Sequence, residues 1–478
     1  MLLLILQSFL WNLVLMFKKV NNIHFTGIGG IGMSGIAELL MNLGFNITGS
    51  DINYSQNVKR LEKIGIKISI NHNKNNIKNA DTIVYSSAVP LDNPEIIAAK
   101  NKSIPIIRRA EMLGELISLK KTSIAIGGTH GKTSTSSMIG MILEKSGYDP
   151  TLVVGGLVSN LNTNVKLGSG DIIIVEADEF DRSFLALKPT IAVITNLEME
   201  HTDCYRNLDD LKNAFLQFCH SVPFYGQVIL CADSESLMSI KDKIKKPLVT
   251  YGLSENADFC AKNIIYNKNK SEYTLFHKQN NIGKIQIQVP GKHNVLNSLA
   301  AIALGIEIDL PIKKLKNGIN NYRGVRRRFE LKNNKHGVIL VDDYAHHPTE
   351  VLATINAAKS GWNKKILSVF QPHLFTRTKD FFKDFAKSLF TSDKIIITDI
   401  YPAREKPIKG VTSDLIINEL KYLGHNKTYY LDDLEKLNQL LDKLLTPNDM
   451  IITMGAGNIW RYNEKYNEHL NSKDHFKF

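Results

Sequence analysis

Residues 124–137 read I-A-I-G-G-T-H-G-K-T-S-T-S-S, and their order decides what the middle of this chain must be. A short apolar run predicts a strand, glycines follow, and the residues from Lys132 onward suit a helix. Glycines let backbone N–H groups turn inward on anionic oxygens, and the following helix aims its positive end at them. Lys132 has the reach for terminal phosphates, and the Thr133 hydroxyl is placed to ligate Mg²⁺. Ile126 sits where the outer glycine of the full Walker pattern would be. The variant is therefore Gly128-Thr129-His130-Gly131-Lys132-Thr133, with Ser134 next in the helix. This stretch predicts a site for ATP.

Outward from this loop, strands alternate with helices, the pattern of an α/β protein with helices on the faces of a parallel sheet. The first unit has strands at 23–26, 45–48 and 81–85. A helix at 33–43 is closed by Gly44, a residue type suited to the C-terminal cap. The second unit starts near Lys120. It carries strands at 171–175 and 190–195, then short Asn/Lys-rich β-like pieces over 248–290 that read as a peripheral sheet. A helix follows from 291 to 304. After the Arg-rich turn 323–328, strands at 338–341, 365–370, 394–398 and 450–453 alternate with helices at 379–390, 414–422 and 434–445. Pro348 stands where a first helical position would be.

The bulk properties bound the reading. A chain of 478 residues holds about three domains at roughly 150 residues each. With 43% hydrophobic and 22% charged residues, nothing forces disorder. The formal charge of +12 is spread over the whole length without a basic, aromatic-interleaved stripe, which argues against nucleic acid. Cys204, Cys219, Cys231 and Cys260 show no C-x-x-C pair or zinc spacing, so no disulfide framework is expected and a reducing compartment fits. Residues 1–17 are almost wholly apolar. They are slightly short for a bilayer span of roughly 20 residues and lack signal-peptide features. Three readings of this segment stay open: an overlong start with Met16 as the initiator, which is favoured because the fold pattern begins only at Asn22, a peripheral anchor, or a marginal span.

Several further constellations carry chemistry. Gly27-x-Gly29-x-x-Gly32 after a strand, with Asp51 downstream, matches a dinucleotide fingerprint. Such a turn recognises pyrophosphate as such, so beside an ATP loop a UDP-linked substrate is the better reading. Glu176 ends an apolar strand where a Mg²⁺-holding carboxylate belongs, with Asp178, Glu179 and Asp181 as alternatives. His201, between Glu200 and Asp203, is a candidate ligand for a second metal. His293, Asn294 and Asn297 suit adenine or ribose, or else cap a helix. Arg327 and Arg328 offer cationic contacts to phosphate. Asp343, His346 and Arg377 follow strands, where ligands bind in open α/β sheets.

Eight motifs in this order are HFTGIGGIGMSGIAELL, GGTHGKTST, EADEFDRSFL, TNLEMEHTDCY, GKHNVLNSLAA, RGVRRRFE, DDYAHHPTEV and MGAGNIW. On them the chain resembles the Mur ligase family from about Asn22 to Trp460. The apolar extension (1–19) has no counterpart in the family pattern; beyond it the resemblance implies a Rossmann-like sugar-nucleotide domain (20–118), a central P-loop ATPase domain (119–322) and a Rossmann-like C-terminal domain (323–478). It implies ATP and Mg²⁺ as cofactors and coupling of L-alanine to the lactyl carboxylate of UDP-N-acetylmuramate through an acyl phosphate. Lys132 would grip the phosphates; Thr133 and Glu176 would hold Mg²⁺, and His201 a second ion. Gly128, Thr129, His130, Gly131, Ser134, His293, Asn294, Asn297, Arg328 and Asp343 would contact ATP. Gly29, Gly30, Ile31, Gly32, Asp51, Ser87, Arg109 and Arg327 would bind the UDP-sugar. His346 and Arg377 would receive phosphate or the amino acid. Glu200 stands where many members carry Asp, and Leu374 where some carry Arg. A cytoplasmic monomer or weak dimer is expected, with no nucleic-acid partner and no membrane contact beyond the apolar segment.

Overall fold

A computed structural model describes residues 20–159, 163–200, 204–403 and 405–472. The apolar start (1–17) and His201 lie outside the described residues. The chain divides into two compact units, one of residues 1–260 and 299–318, the other of 261–298 and 319–478. Among the described residues no helix is long and apolar enough to cross a membrane.

The first unit begins with β1 (Asn22–Thr26), β2 (Asn46–Asp51), β3 (Lys67–Ile70), β4 (Thr82–Tyr85) and β5 (Ile106–Arg108). They form one sheet in the order β3-β2-β1-β4-β5, every neighbouring pair parallel. This is the doubly wound order without its sixth strand, in which ligands approach the carboxyl ends of the strands. The first helix, Ile31–Asn42, ends with Gly44 at φ +97, where a side chain would be strained. β2 runs on to Asp51, beyond the expected 45–48. Gly49 explains the extension: a Cβ there would sit 2.4 Å from Ile28 Cδ1, so only glycine keeps the strand flat under the turn.

The same unit continues with β6 (Thr122–Gly127), β7 (Thr151–Val158), β8 (Thr163–Lys166), β9 (Ile172–Glu176), β10 (Ile191–Ile194), β11 (Gln227–Cys231) and β12 (Leu248–Gly252). Their order is β12-β11-β10-β6-β9-β7-β8, parallel except for the β7–β8 hairpin. β6 therefore lies in the middle of the sheet. It is buried on both faces, which is why it reads as a continuous apolar run. The helix that follows, Lys132–Lys145, is buried from Thr133 to Leu143. Its Ser136 and Ser137 hydroxyls donate back to the Lys132 and Thr133 carbonyls, which lets a polar helix stay inside.

The division between units falls inside β13 (Phe259–Asn267) and inside the helix Lys292–Glu307. In the second unit, β14 (Lys270–His277) and β15 (Asn280–Ile287) pair antiparallel, whereas β12, within the stretch 248–290 expected as a peripheral sheet, is instead a parallel strand of the central sheet. Then come β16 (Glu330–Lys335), β17 (Val338–Asp343), β18 (Lys365–Phe370), β19 (Lys394–Thr398), β20 (Thr428–Leu431) and β21 (Asp449–Met454), ordered β16-β17-β21-β18-β19-β20. Only β16 is antiparallel to its neighbour. Alternate residues feed two cores: Ile339, Val341, Ile366, Ile395, Ile397 and Ile452 on one face, Val338, Leu340, Leu367, Val369, Ile396 and Ile451 on the other. The helix expected at 379–390 begins earlier, at Phe375, because Leu374 adopts φ 71 and its N–H bonds to the Tyr401 carbonyl. The helix expected at 434–445 is broken into a 3₁₀ turn capped by Asp433 and the helix Leu437–Leu444. The fold is α/β in three domains, with parallel-rich sheets.

Candidate active site

The glycine loop between β6 and Lys132–Lys145 is held open by its neighbours. Gly128 has φ +126, and a Cβ on it would lie 2.2 Å from Thr195 Oγ1; Gly131 has φ +83. Both positions demand glycine. Residues after β10 clamp the loop: Asn196 Oδ1 accepts from the His130 N–H at 2.9 Å, Asn196 Nδ2 donates to the His130 carbonyl at 3.0 Å, and the Thr195 hydroxyl donates to that carbonyl too. The Thr129 hydroxyl and the Glu198 backbone exchange hydrogen bonds at 2.9 and 3.2 Å. Neither Thr195 nor Asn196 was singled out from the sequence, although both open the TNLEMEHTDCY motif.

The Lys132 side chain is half-buried inside this loop. Its ammonium donates to the Gly128 carbonyl at 2.6 Å and to both oxygens of Glu179 at 2.8 and 3.1 Å. Burial works against its charge, yet the Glu179 carboxylate, with Asp178 behind it, outweighs burial and holds the ammonium above its ordinary pKa. Glu179, one of three alternatives offered for metal binding, is thus the partner of Lys132. Glu176 ends β9, and its Oε1 accepts from the Gly155 N–H at 2.8 Å. β9 pairs with β6 so that Glu176 lies opposite Ile126, one residue before the loop glycines. Thr133 and Glu176 accordingly flank the loop with hydroxyl and carboxylate oxygens, the hard donors Mg²⁺ prefers. His130 Nε2 lies 3.6 Å from Glu198 Oε2.

The glycine turn after β1 is braced from below. The Ser50 carbonyl accepts from the N–H groups of both Gly27 and Ile28. Asp51, expected at a ribose hydroxyl, is turned onto the turn itself: Oδ2 accepts from the Gly29 N–H at 2.8 Å and Oδ1 from the Asn53 N–H. Gly30 is the N-cap of the helix that Ile31 begins. Arg109 Nη1 would touch a Cβ on Gly32 at 2.9 Å, so the arginine closes over the turn. Arg109 also lines a cavity of about 450 Å³, with Tyr85, Ser87 and Arg108 from the first sheet and Asp181 and Arg182 from the 3₁₀ turn Phe180–Ala186. Arg108, Arg109 and Arg182 share this lining with the carboxylates of Asp181 and Glu111, and Arg182 is paired with Asp210, so Arg108 and Arg109 are the guanidiniums offered to an anion. Arg108 and Arg182 escaped the sequence reading; the adjacent Arg109 and the EADEFDRSFL motif were the signals available.

In the second unit, His293, Asn294, Asn297, Arg328 and Asp343 were expected at the nucleotide. Asn294 Nδ2 donates to the Pro290 carbonyl and contacts His293 Nε2, and Asn297 Nδ2 contacts Asn294 Oδ1. Burial, with Arg328 nearby, pushes His293 down to about 4, so its ring is neutral at pH 7. Asp343 is turned inward, accepting from the Phe329 and Ala345 N–H groups and the Thr354 hydroxyl, and burial pushes it up to about 6. Its strand end holds the Arg328–Phe329 bend in place. Arg327, expected at the sugar nucleotide, is engaged within the unit: Nε meets Asp342 at 3.3 Å, Nη2 donates to the Gly455 carbonyl, and the guanidinium lies over Tyr344 and Trp460. Two consecutive arginines diverge here because Arg327 has φ 60. His346 Nδ1 lies 3.2 Å from Glu350. Its ring meets His373 edge-on, while His373 stacks on Tyr401 and receives Arg377 Nη1 at 3.1 Å. His346 and Arg377 thus converge on His373, which the sequence reading did not select.

A phosphate loop on a central strand, joined to a cationic cavity by one acidic segment, belongs to a nucleotide-dependent enzyme of three α/β domains. The chain belongs to the Mur ligase family: residues 22–121 match its catalytic domain, 126–305 the Mur ligase middle domain, and 327–457 the glutamate ligase domain. It is 46% identical to a UDP-N-acetylmuramate–L-alanine ligase of Geobacter sp. (strain M21), over 94% of this chain and 97% of the relative. A ligase of the same description from Geotalea uraniireducens is also 46% identical, over 95% and 99%. Among solved structures, the UDP-N-acetylmuramate-alanine ligase of Thermotoga maritima superposes with a TM-score of 0.81 at 28% identity, over 94% of this chain and 99% of that one. A murein peptide ligase of Psychrobacter arcticus shares the fold, with a TM-score of 0.69 at 22% identity over 95% and 99%.

Proposed function

We propose that this protein joins L-alanine to the lactyl carboxylate of UDP-N-acetylmuramate with cleavage of ATP, making a peptidoglycan precursor in the cytoplasm. The lactyl carboxylate oxygen attacks the γ-phosphorus as the bond to ADP breaks, giving an acyl phosphate. The alanine amine then attacks the acyl carbon, and phosphate leaves from the tetrahedral intermediate. A carboxylate is a poor acyl donor in water, and phosphorylation provides the leaving group. The protein's task is therefore positioning and charge neutralisation, without a covalent enzyme nucleophile. Lys132 neutralises the terminal phosphates, while Gly128, Thr129, His130, Gly131 and Ser134 supply the loop around them. Thr133 and Glu176 would hold Mg²⁺ and His201 would be a ligand to a second ion; bound Mg²⁺ would offset phosphate charge. Gly29–Gly32, Ser87, Arg108 and Arg109 take the UDP-sugar, and Asp51 acts by shaping that turn. In the second unit, His293, Asn294, Asn297 and Arg328 are the nucleotide contacts, with Asp343 bracing the Arg328–Phe329 bend. His346 and Arg377 receive phosphate or the amino acid.

One observation carries this reading. The segment after β9 has Glu179 on Lys132 and, two residues later, Asp181 in the wall of the cationic cavity. One stretch of chain thus touches both the phosphate loop and the cavity, which supports transfer from one nucleotide to the substituent of another. The test is ADP release by purified protein with each substrate omitted in turn. ADP should appear in quantity only when ATP, Mg²⁺, UDP-N-acetylmuramate and L-alanine are all present. Release that ignores the sugar nucleotide, or that prefers a tripeptide to alanine, sinks the assignment.

A further inference from the structure

Glu179 is 1% exposed, and its charge is tolerable there because Lys132 meets both its oxygens. A triphosphate in the loop competes for the same ammonium and brings like charge against the same carboxylate. ATP binding therefore has to redistribute this pair. What Glu179 is attached to matters equally. Its backbone carbonyl accepts from the Tyr205 hydroxyl at 2.6 Å. The chain then passes through two left-handed residues, Asp181 at φ 51 and Arg182 at φ 60, a conformation that bulky residues keep only when their surroundings impose it. Arg182 is pinned by Asp210 at 2.6 Å and lies over the Tyr205 ring, 5.0 Å from its centroid. Asp181 and Arg182 are also wall residues of the cationic cavity.

We propose that Glu179 is an internal stand-in for the triphosphate, holding Lys132 until ATP displaces it, and that the turn beyond it couples this exchange to sugar-nucleotide occupancy of the cavity. The proposal rests on the function given above and deepens it. Glu179 and Tyr205 are positioning residues: Glu179 acts through Lys132, and Tyr205 acts through the Glu179 backbone. Coupling of this kind is reciprocal, so it is read from either ligand.

The experiment is calorimetric titration of the whole chain with a non-hydrolysable ATP analogue and Mg²⁺, with and without UDP-N-acetylmuramate, in the wild type, Glu179→Gln and Tyr205→Phe. Glu179→Gln should bind the analogue at least about fivefold more tightly, because the ammonium is released and no carboxylate faces the phosphates. The factor by which the sugar nucleotide changes analogue affinity in the wild type should fall towards one in both variants. Equal or weaker analogue binding by Glu179→Gln overturns the proposal, as does an unchanged factor in Tyr205→Phe or a wild-type factor of one. If Glu179→Gln does not fold, Tyr205→Phe, which lacks a single hydroxyl, decides through that factor alone. A wild type that binds neither ligand removes the proposed function itself, and this inference with it.

Discussion

At Glu95 a carboxylate with no exposure keeps its charge because protein groups replace its water. It accepts from the hydroxyls of Thr26 and Ser50, the Asn76 amide and the Asn73 N–H, and it faces His24. Burial alone would raise its pKa, but His24, Ser50 and Asn76 outweigh burial and hold it at about 2. The unfolded value is about 4.3, so the unfolded chain binds the proton more readily. The charge therefore stabilises the fold above pH ~4.3, and that stability is lost as pH falls towards 2. Glu95→Gln should cost about 2 kcal/mol at pH 7, a value already reduced for residual screening. In urea unfolding the deficit should persist at pH 5 and shrink below pH ~4; one that stays constant to pH 3 places its origin elsewhere. Lys132→Ala acts differently, removing the neutralising charge and stranding Glu179 at a cost of about 3–5 kcal/mol. Ligation should fall at least about a thousandfold, while binding of UDP-N-acetylmuramate alone stays within about threefold in equilibrium titration. A variant that still ligates would refute the role given to Lys132.

Between elements, the helix Ile31–Asn42 packs on the β7–β8 hairpin through a glycine. A Cβ on Gly35 would sit 2.3 Å from Val165 Cγ2, and Asn164 Nδ2 reaches the Ile31 carbonyl at 3.2 Å. Gly35→Val should cost about 1–3 kcal/mol by overpacking, and Val165→Ala in the same chain should recover much of it, because neighbours in contact do not add. Urea unfolding of both singles and the double checks this; additive losses would mean the two elements do not press on each other. This hairpin also marks where sequence reading stops. The loop at 124–137 was legible because phosphate binding requires glycine, lysine and threonine in that order at that spacing. The alternating strands around it were legible because buried parallel strands are apolar runs. Nothing in residues 151–166 announces a hairpin, since its partner is a helix more than a hundred residues earlier. Asp51 and Arg327 looked like ligand contacts because residue type and strand-end position suggest outward reach, whereas Gly29 in one case and Asp342 with Gly455 in the other lie nearer. Glu179 was only one acid among several until the fold set it on Lys132.

The molecule as a whole is two compact units. Every residue named around the cationic cavity, from Tyr85 to Arg182, belongs to the first. A ligand that binds a folded unit and not its unfolded chain stabilises that unit by mass action, by about 2.7 kcal/mol at a hundred times its dissociation constant. In calorimetry, UDP-N-acetylmuramate at that excess should raise the melting of the first unit by about 5 °C, given how such free energies convert for units of this size. The transition of the second unit should stay within about 1 °C. Arg109→Ala should remove most of the shift, because Arg109 is the guanidinium that closes over the glycine turn at Gly32. Should the sugar nucleotide instead move the transition of the second unit, the acceptor site would belong to the carboxyl ends of β17–β21, and the cavity beside Arg109 would need another ligand.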